Sequence, residues 1–368
     1  MRKIIKVTED DTPWKILSIL SVRLSEYYLK PHEKCLAFFF KVLSAVLLMH
    51  WFSANFYRIC TNTNFDIGMF VYFLMSVQLA LIWYFLKAQI KNICTNVEHL
   101  ERYRTLFNVG NKKQCLVKAV AIAFIVLPIL ISTIIATFGK RESHTHYSYG
   151  YKIYDQIIVR VMTFYLNFVY FYSCTTFALI TLLLSILIFQ WGKVLREYNA
   201  LLNIFIKKRN INTGVPFLKE FFNLTKIIQD LEKALQYPSL IIILYSLEML
   251  FLIFWYVLEN KKALFQAGNI VEVVFDGMYG FFMISVYCLN SSKIPENLIE
   301  IRRTAKYIIN RYGNSSFLSR NVIFYLKRIE KEDIIYITAC GLFEFTRKYL
   351  LSAIGAALTY NLLIINLK

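Results

Sequence analysis

A few side chains in this chain sit where their chemistry would be expensive unless it is used. Glu248 falls near the middle of an apolar run, and Glu272, Asp276 and Tyr279 share one helical face of another. A carboxylate at the centre of a membrane span costs about 2.5–3.5 kcal/mol on insertion scales, so such groups are expected to face a wet cavity or a partner. Tyr165, Asn167, Tyr170 and Tyr172, all in a third apolar run, can supply the aromatic and amide walls of that cavity. A pocket of this kind would accept a cationic or hydroxyl-rich small molecule. The alternative is internal pairing of Glu248 or Asp276, for example with His50, and simple contact of Glu272 with interfacial water.

A second group lies in the closing stretch, Tyr349–Leu367. Ser352 and Ala356 are spaced i, i+4, as are Ala353 and Ala357, with Gly355 between them, and small residues let helices approach closely. Thr359 and Tyr360 can fix this helix to its neighbours by hydrogen bonds. Asn366 offers an amide that can coordinate partly dehydrated ions without a fixed charge. Leu363 precedes it by about one turn and Leu367 is adjacent, and rings of such side chains can close a pore by dewetting. The competing reading leaves these leucines facing lipid or the helix bundle.

Other chemistry finds little support. His144-x-His146 has two imidazoles, but two loop histidines more often make a polar loop than a metal site. There is no Ser/His/Asp arrangement, Gly-rich phosphate loop or paired-cysteine metal motif, so neither an enzyme nor a cofactor is expected. No nucleic-acid motif accompanies the net charge of +18.

The elements that must position these residues are membrane helices. The 368 residues are 57% hydrophobic and 17% aromatic, with six prolines, and the mean hydropathy is +0.47. Soluble domains hold nearer 45–50% apolar residues. About twenty apolar residues in helix cross some 30 Å of hydrocarbon. Seven spans are predicted: Leu36–Tyr57, Asp66–Leu86, Val117–Phe138, Val161–Phe189, Pro238–Leu258, Gly268–Leu289 and Tyr349–Leu367. No secretory signal is read before the first. Of the 42 basic residues, 32 fall on alternate segments, beginning with the N-terminal one, against 8 on the others. Basic residues stay cytosolic, which puts the N-terminus inside and the C-terminus outside. The three glycosylation sequons, at Asn223, Asn290 and Asn314, then fall on the cytosolic side, where they go unmodified. Reduced thiols are expected, because only Cys60 lies in an outer loop.

The chain divides accordingly. Residues 1–35 form a cytosolic N-terminal segment. Residues 36–289 carry six spans, with cytosolic helices over 190–237. Residues 290–348 form a cytosolic helical anchor, and 349–368 the seventh, pore-lining span. Within 190–237, Val194, Leu195, Tyr198, Leu201, Leu202 and Phe205 recur at helical spacing, as do Phe217, Phe221, Leu224, Ile228, Leu231 and Leu235. Gly214-Val215-Pro216 breaks the two. Pro295 is placed near a helix start, with Ile299, Arg303, Tyr307 and Ile308 following, and a further helix is expected over Asn321–Ile337. These stripes need partners, so an inner bundle is preferred to helices lying on the membrane. Glu101-Arg102-Tyr103 resembles the ionic-lock tripeptide of G-protein-coupled receptors. It follows the second span rather than the third, and is read as a charged helix face.

The C-terminal segment resembles the signature of insect gustatory receptors, within the insect chemoreceptor superfamily. That signature is Thr-Tyr, five mostly apolar residues, then Gln-Phe. Here Thr359-Tyr360, Asn361 to Ile365 and Asn366-Leu367 stand at those positions, and Ala339-Cys340-Gly341-Leu342-Phe343 is similar to the lead-in to the family's last helix. Asn366 shortens the usual Gln by one methylene, Leu367 replaces the usual Phe ring, and Asn361 adds a polar group.

The resemblance implies an all-α, seven-span, ligand-gated nonselective cation channel in the plasma membrane of chemosensory neurons. It would be gated by a small-molecule tastant and embedded in membrane lipid. Four like or related subunits would surround one pore, with Asn366 at its lining and Leu367 as gate, Leu363 being the second candidate. The alternatives are a multispan secondary transporter and a non-conducting partner subunit.

Overall fold

In the computed structural model, residues 67–107, 156–207, 214–259, 267–313 and 318–367 are described, with scattered helical positions between 42 and 60 and between 126 and 137. The N-terminal segment 1–35 and the loop carrying His144 and His146 lie outside the described residues. So do the side chains of Glu272, Tyr360, Asn361, Asn366 and Leu367, although the backbone is helical through them.

The described chain is almost wholly helical. Its elements are α1 (Ile67–Leu106), α2 (Gln156–Lys207), α3 (Gly214–Glu259), α4 (Ala267–Ser291), α5 (Lys293–Tyr312), α6 (Arg320–Lys331), β1 (Thr338–Ala339), β2 (Phe343–Glu344) and α7 (Arg347–Leu367). Among the described residues, three helices are long and apolar enough to cross a membrane: Phe70–Leu106, Ile157–Ile204 and Val215–Ile253. With 52 residues, α2 is about 78 Å long at 1.5 Å per residue, more than twice the hydrocarbon thickness.

The sequence explains this length. In α2 an apolar half runs without a breaker into the amphipathic half that contains Val194, Leu195, Tyr198 and Leu202, all fully buried. In α3 the order is reversed. The stripe Phe221, Leu224, Ile228, Leu231 and Leu235 is buried first, and the apolar half follows Pro238, which lies inside the helix. Proline has no N–H, so the carbonyl of Ala234 loses its partner four residues on. Each fully buried leucine at the amphipathic end contributes about 1.5–3 kcal/mol. In the apolar halves packing itself must hold the helices, since lipid is as apolar as leucine.

Helix α1 packs on α3, α3 on α4, α2 on both α4 and α5, and α5 on α6. Two close approaches set these crossings. A Cβ on Gly192 would come within 2.8 Å of the Lys293 Cβ, and Asn297 Nδ2 donates to the Gly192 carbonyl at 3.0 Å, joining α2 to α5. A Cβ on Gly280 would meet Met249 Cβ and the Ser246 carbonyl, each at 2.9 Å, so only hydrogen fits between α4 and α3. The tripeptide read as a charged face is only partly that. Glu101 pairs with Arg104 at 2.6 Å, but Tyr103 is buried beside Trp191 and Phe107 and donates its hydroxyl to Glu220 of α3.

Two expectations are corrected beyond the spans. The buried stripe of α5 is Ile294, Pro295, Leu298, Ile301, Ala305 and Ile308, while Arg303 and Tyr307 are exposed, so the apolar face is rotated from the one expected. Helix α6 stops at Lys331 instead of reaching Ile337. Ser319 caps its start, accepting from Val322 N at 3.3 Å, and Val322, Leu326 and Ile329 are its buried face. The following residues are extended, with Ile335, Ile337 and Ala339 buried alternately. That is strand periodicity in a β-branched run, and it ends in a small antiparallel hairpin, Thr338 opposite Glu344 and Ala339 opposite Phe343. The chain is therefore not purely α.

The hairpin turn holds Cys340 at φ 51° and Gly341 at φ 72°, and Leu342 N donates to the Ala339 carbonyl at 2.9 Å. Left-handed backbone at two successive turn residues matches strand twist, and glycine adopts it without a Cβ clash. Thr346 then caps α7, its Oγ1 accepting from Tyr349 N at 3.2 Å.

Candidate ligand site and pore helix

The two deeply placed carboxylates are each held by a side chain from another helix. Asp276, on α4, has no exposed surface, and Tyr170 of α2 donates its hydroxyl to Asp276 Oδ1 at 2.6 Å. Glu248, on α3, accepts from Gln78 Nε2 of α1 at 2.5 Å. Gln78 was not singled out from the sequence. The available signal was a lone amide in the apolar run Met75–Ile82.

Around Asp276 the aromatic side chains form a continuous wall. Tyr279 stacks on Phe275 with ring centroids 4.1 Å apart, and its hydroxyl lies 3.5 Å from that of Thr175. Phe171 meets Phe275 edge-on at 4.7 Å, and Tyr72 meets Tyr170 edge-on at 5.5 Å. Tyr72 and Thr175 are further members that periodicity alone did not mark. Asn167 is buried but spends its amide on its own helix, donating Nδ2 to the Thr163 carbonyl at 2.8 Å. Tyr165 lies apart from the wall, half-buried with its ring edge-on to His50 at 5.3 Å. Tyr172 is half-buried against Phe168.

A second polar contact joins the two carboxylates' surroundings. Tyr245 precedes Glu248 by three residues on α3, stacks on Phe177 at 3.8 Å, and donates its hydroxyl to Cys174 Sγ at 3.4 Å. Cys174 follows Tyr170 by four residues on α2. The predicted residues Tyr170, Asp276 and Tyr279 are thus brought together, Glu248 sits one helical layer away, and Tyr165 is set apart. Among the described residues no cluster of His, Cys, Asp and Glu could hold a metal ion.

Helix α7 leans on the bundle through Tyr349, Leu350 and Ala353. The opposite face is open. Ser352, Gly355, Ala356, Thr359 and Leu363 are exposed and fall on one stripe. Leu351 beside it is 71% exposed and Leu363 54%. A Cβ on Gly355 would meet nothing within 4 Å. Thr359 bonds within its own helix, to the Gly355 carbonyl at 2.8 Å. Arg347 anchors the start of α7 to α5 through Glu296, Nε to Oε1 at 2.9 Å.

The hairpin connects this helix to α3. Thr338 Oγ1 donates to Glu232 Oε1 at 2.5 Å, and Gln236 Nε2 donates to the same oxygen at 3.0 Å. Cys340 Sγ donates to the Gln236 carbonyl at 3.6 Å, and burial pushes its thiol above the ordinary cysteine range.

The fold has solved counterparts. The insect olfactory receptor OR5 from Machilis hrabei matches with a TM-score of 0.71 at 13% identity, over 97% of this chain and 96% of that one. The same receptor in complex with eugenol matches with a TM-score of 0.68 at 14% identity, over 97% and 96% of the two chains. No protein-family model matches the sequence, and no curated protein matches it. At this level of identity the likeness is one of fold.

Proposed function

We propose that the chain is one subunit of a ligand-gated, nonselective cation channel of gustatory type in the plasma membrane. The observation that carries this reading is the likeness in fold, across nearly the whole chain, to an insect olfactory receptor. It joins the resemblance of Thr359-Tyr360 and Asn366-Leu367 to the gustatory signature. In this reading the chain crosses lipid seven times with its N-terminus inside. The ends of α1, α2 and α3 that bury amphipathic stripes, with α5 and α6, form the cytosolic anchor.

The open stripe of α7 supports assembly. Among the described residues, Ser352, Gly355 and Thr359 are exposed, and nothing lies within 4 Å of a Cβ placed on Gly355. Small residues on such a face suit close approach of a like helix around a fourfold pore. Asn366 and Leu363 or Leu367 then line and close that pore. A small-molecule tastant binds near Tyr170, Asp276, Tyr279 and Glu248, and the chemosensory neuron is the expected cell. A second reading, a partner subunit that does not conduct alone, is favoured by one observation: Asn366 and Leu367 stand where Gln and Phe are usual.

The test is expression alone in a heterologous cell, with whole-cell recording against a tastant panel. Ligand-evoked cation current whose selectivity changes in Asn366→Ala, at unchanged surface expression, is expected. Fourfold particles without current from surface-expressed protein would support the partner-subunit reading. Monomeric particles without current would refute both.

A further inference from the structure

The Gln78–Glu248 pair has an unusual donor balance. Gln78 Nε2 donates to Glu248 Oε1 at 2.5 Å. The other two oxygens, Glu248 Oε2 and Gln78 Oε1, are buried and accept no hydrogen bond from any described residue. Gln78 is 7% exposed. Buried polar atoms in native proteins are almost always partnered. Two acceptors, one of them on a carboxylate, converge from α1 and α3, and one donor placed between them would satisfy both.

The surroundings narrow what that donor is. A hydroxyl carries lone pairs as well as a hydrogen, and would bring a further acceptor into an acceptor-rich site. An ammonium group has three donors and no acceptor. It also matches the charge of a carboxylate held away from water. Tyr245, one turn before Glu248, reaches Cys174, which lies one turn beyond the Tyr170 that holds Asp276. The second carboxylate therefore lies on the other side of that contact, and the aromatic wall of Phe171, Phe275 and Tyr279 stands beside it.

With the orientation given above, the three polar residues step down from the outer half of the membrane to its midplane. Counted from the outer ends of their spans at 1.5 Å per residue, Asp276, Glu248 and Gln78 lie about 12, 15 and 18 Å in, against a midplane at about 15 Å. They form a descending polar path that ends at the centre of the bundle.

We propose that Gln78 and Glu248 are the polar anchor of the ligand site, and that the ligand class is an organic amine, protonated near neutral pH. Its N–H groups reach Glu248 Oε2 and Gln78 Oε1, and its apolar body lies toward the aromatic wall. The gating consequence rests on the channel reading, but the binding site does not.

The experiment uses the purified full chain in detergent and a panel of primary alkyl- and arylalkylamines, each with its hydroxyl isostere. Direct binding is measured by titration calorimetry, and dose–response by recording from expressing cells. Glu248→Gln keeps the shape and removes the charge, and Gln78→Leu removes the second acceptor. A melting curve checks that both variants fold. At least one amine is expected to bind, with affinity falling about 10- to 100-fold in either variant, while the isosteres move little. If no amine binds the folded wild type, the proposal is overturned, and currents evoked by neutral compounds would leave the channel reading standing. If Glu248→Gln leaves amine affinity unmoved, the proposal is also overturned, and the pair is an acid–amide couple closed on itself. Amine binding lost in the variants, with no current from any compound, would uphold the site and count against the channel.

Discussion

Thr338→Val should loosen the hairpin that leads into α7 without unfolding the bundle. The substitution keeps the β-branched shape, so strand preference and packing volume are nearly unchanged. What is lost is the hydroxyl that donates to Glu232 Oε1 at 2.5 Å and accepts from Gly341 N at 3.3 Å. Gly341 is exposed, so water replaces the second bond at little cost. The first is a bond to a carboxylate, worth about 1.5–3 kcal/mol when fully buried. Glu232 and Thr338 are only half-buried, and Gln236 still donates to the same carboxylate, so about 1–2 kcal/mol is expected.

The readout is amide hydrogen exchange at Leu342 and Phe345, whose N–H groups bond to the Ala339 and Ile337 carbonyls. A local loss of this size speeds their exchange about 5- to 30-fold. Amides in α2 should stay as they were. Glu232→Gln weakens the same bond, so the double variant should fall short of the sum of the singles by about 1 kcal/mol. Exchange at Leu342 and Phe345 that matches the wild type, or strict additivity of the two variants, would refute the reasoning.

Gly280→Val should lower the melting midpoint of detergent-solubilised protein, because three side-chain carbons would enter where even a Cβ comes within 2.9 Å of α3. Overpacking of this kind costs about 1–3 kcal/mol, and an unchanged midpoint would show that α3 and α4 separate freely. Tyr103→Phe removes the donor to Glu220 while keeping the ring beside Trp191. It should cost about 1 kcal/mol, measured as an earlier midpoint in the same melting assay, and rescue by Glu220→Gln would point to the carboxylate oxygen that lost its donor as the cause, the other oxygen keeping its bond from Asn223. Cys340 should react slowly with a maleimide near neutral pH. Its thiol ionises later than an ordinary cysteine, and only the thiolate attacks, so the rate climbs as pH rises toward the raised pKa. A labelling rate already at its plateau near neutral pH would contradict that environment.

The helical content and much of the inner packing were legible because they follow from local pattern. A stripe such as Leu224, Ile228, Leu231 and Leu235 has a face that must be covered, whatever covers it. Likewise the unbroken run from apolar to amphipathic sequence in α2 carries no residue that stops a helix. The strand leading into the hairpin differs from expectation because Ile334–Ile337 closes the helix expected over Asn321–Ile337, although residues 334–338 alternate between half-buried and buried. The α5 stripe differs from the expected one because Arg303 and Tyr307 fall on its exposed face, while Leu298, Ile301 and Ala305 carry the burial.

The candidate site divides along the same line. That Glu248 and Asp276 need partners follows from charge in an apolar run, a property of the sequence. Which partners they have does not. Gln78 lies 170 residues from Glu248, and Tyr170 lies 106 residues from Asp276. Such pairs depend on how far each helix is rotated and how closely it approaches its neighbour. Those quantities are set by packing at points such as Gly192 and Gly280, not by the period of any one helix. The sequence by itself determined which faces must be hidden and which groups must be paired, because both are costs carried by single elements. Only the tertiary structure decided what hides and pairs them, because that choice belongs to the contact between elements.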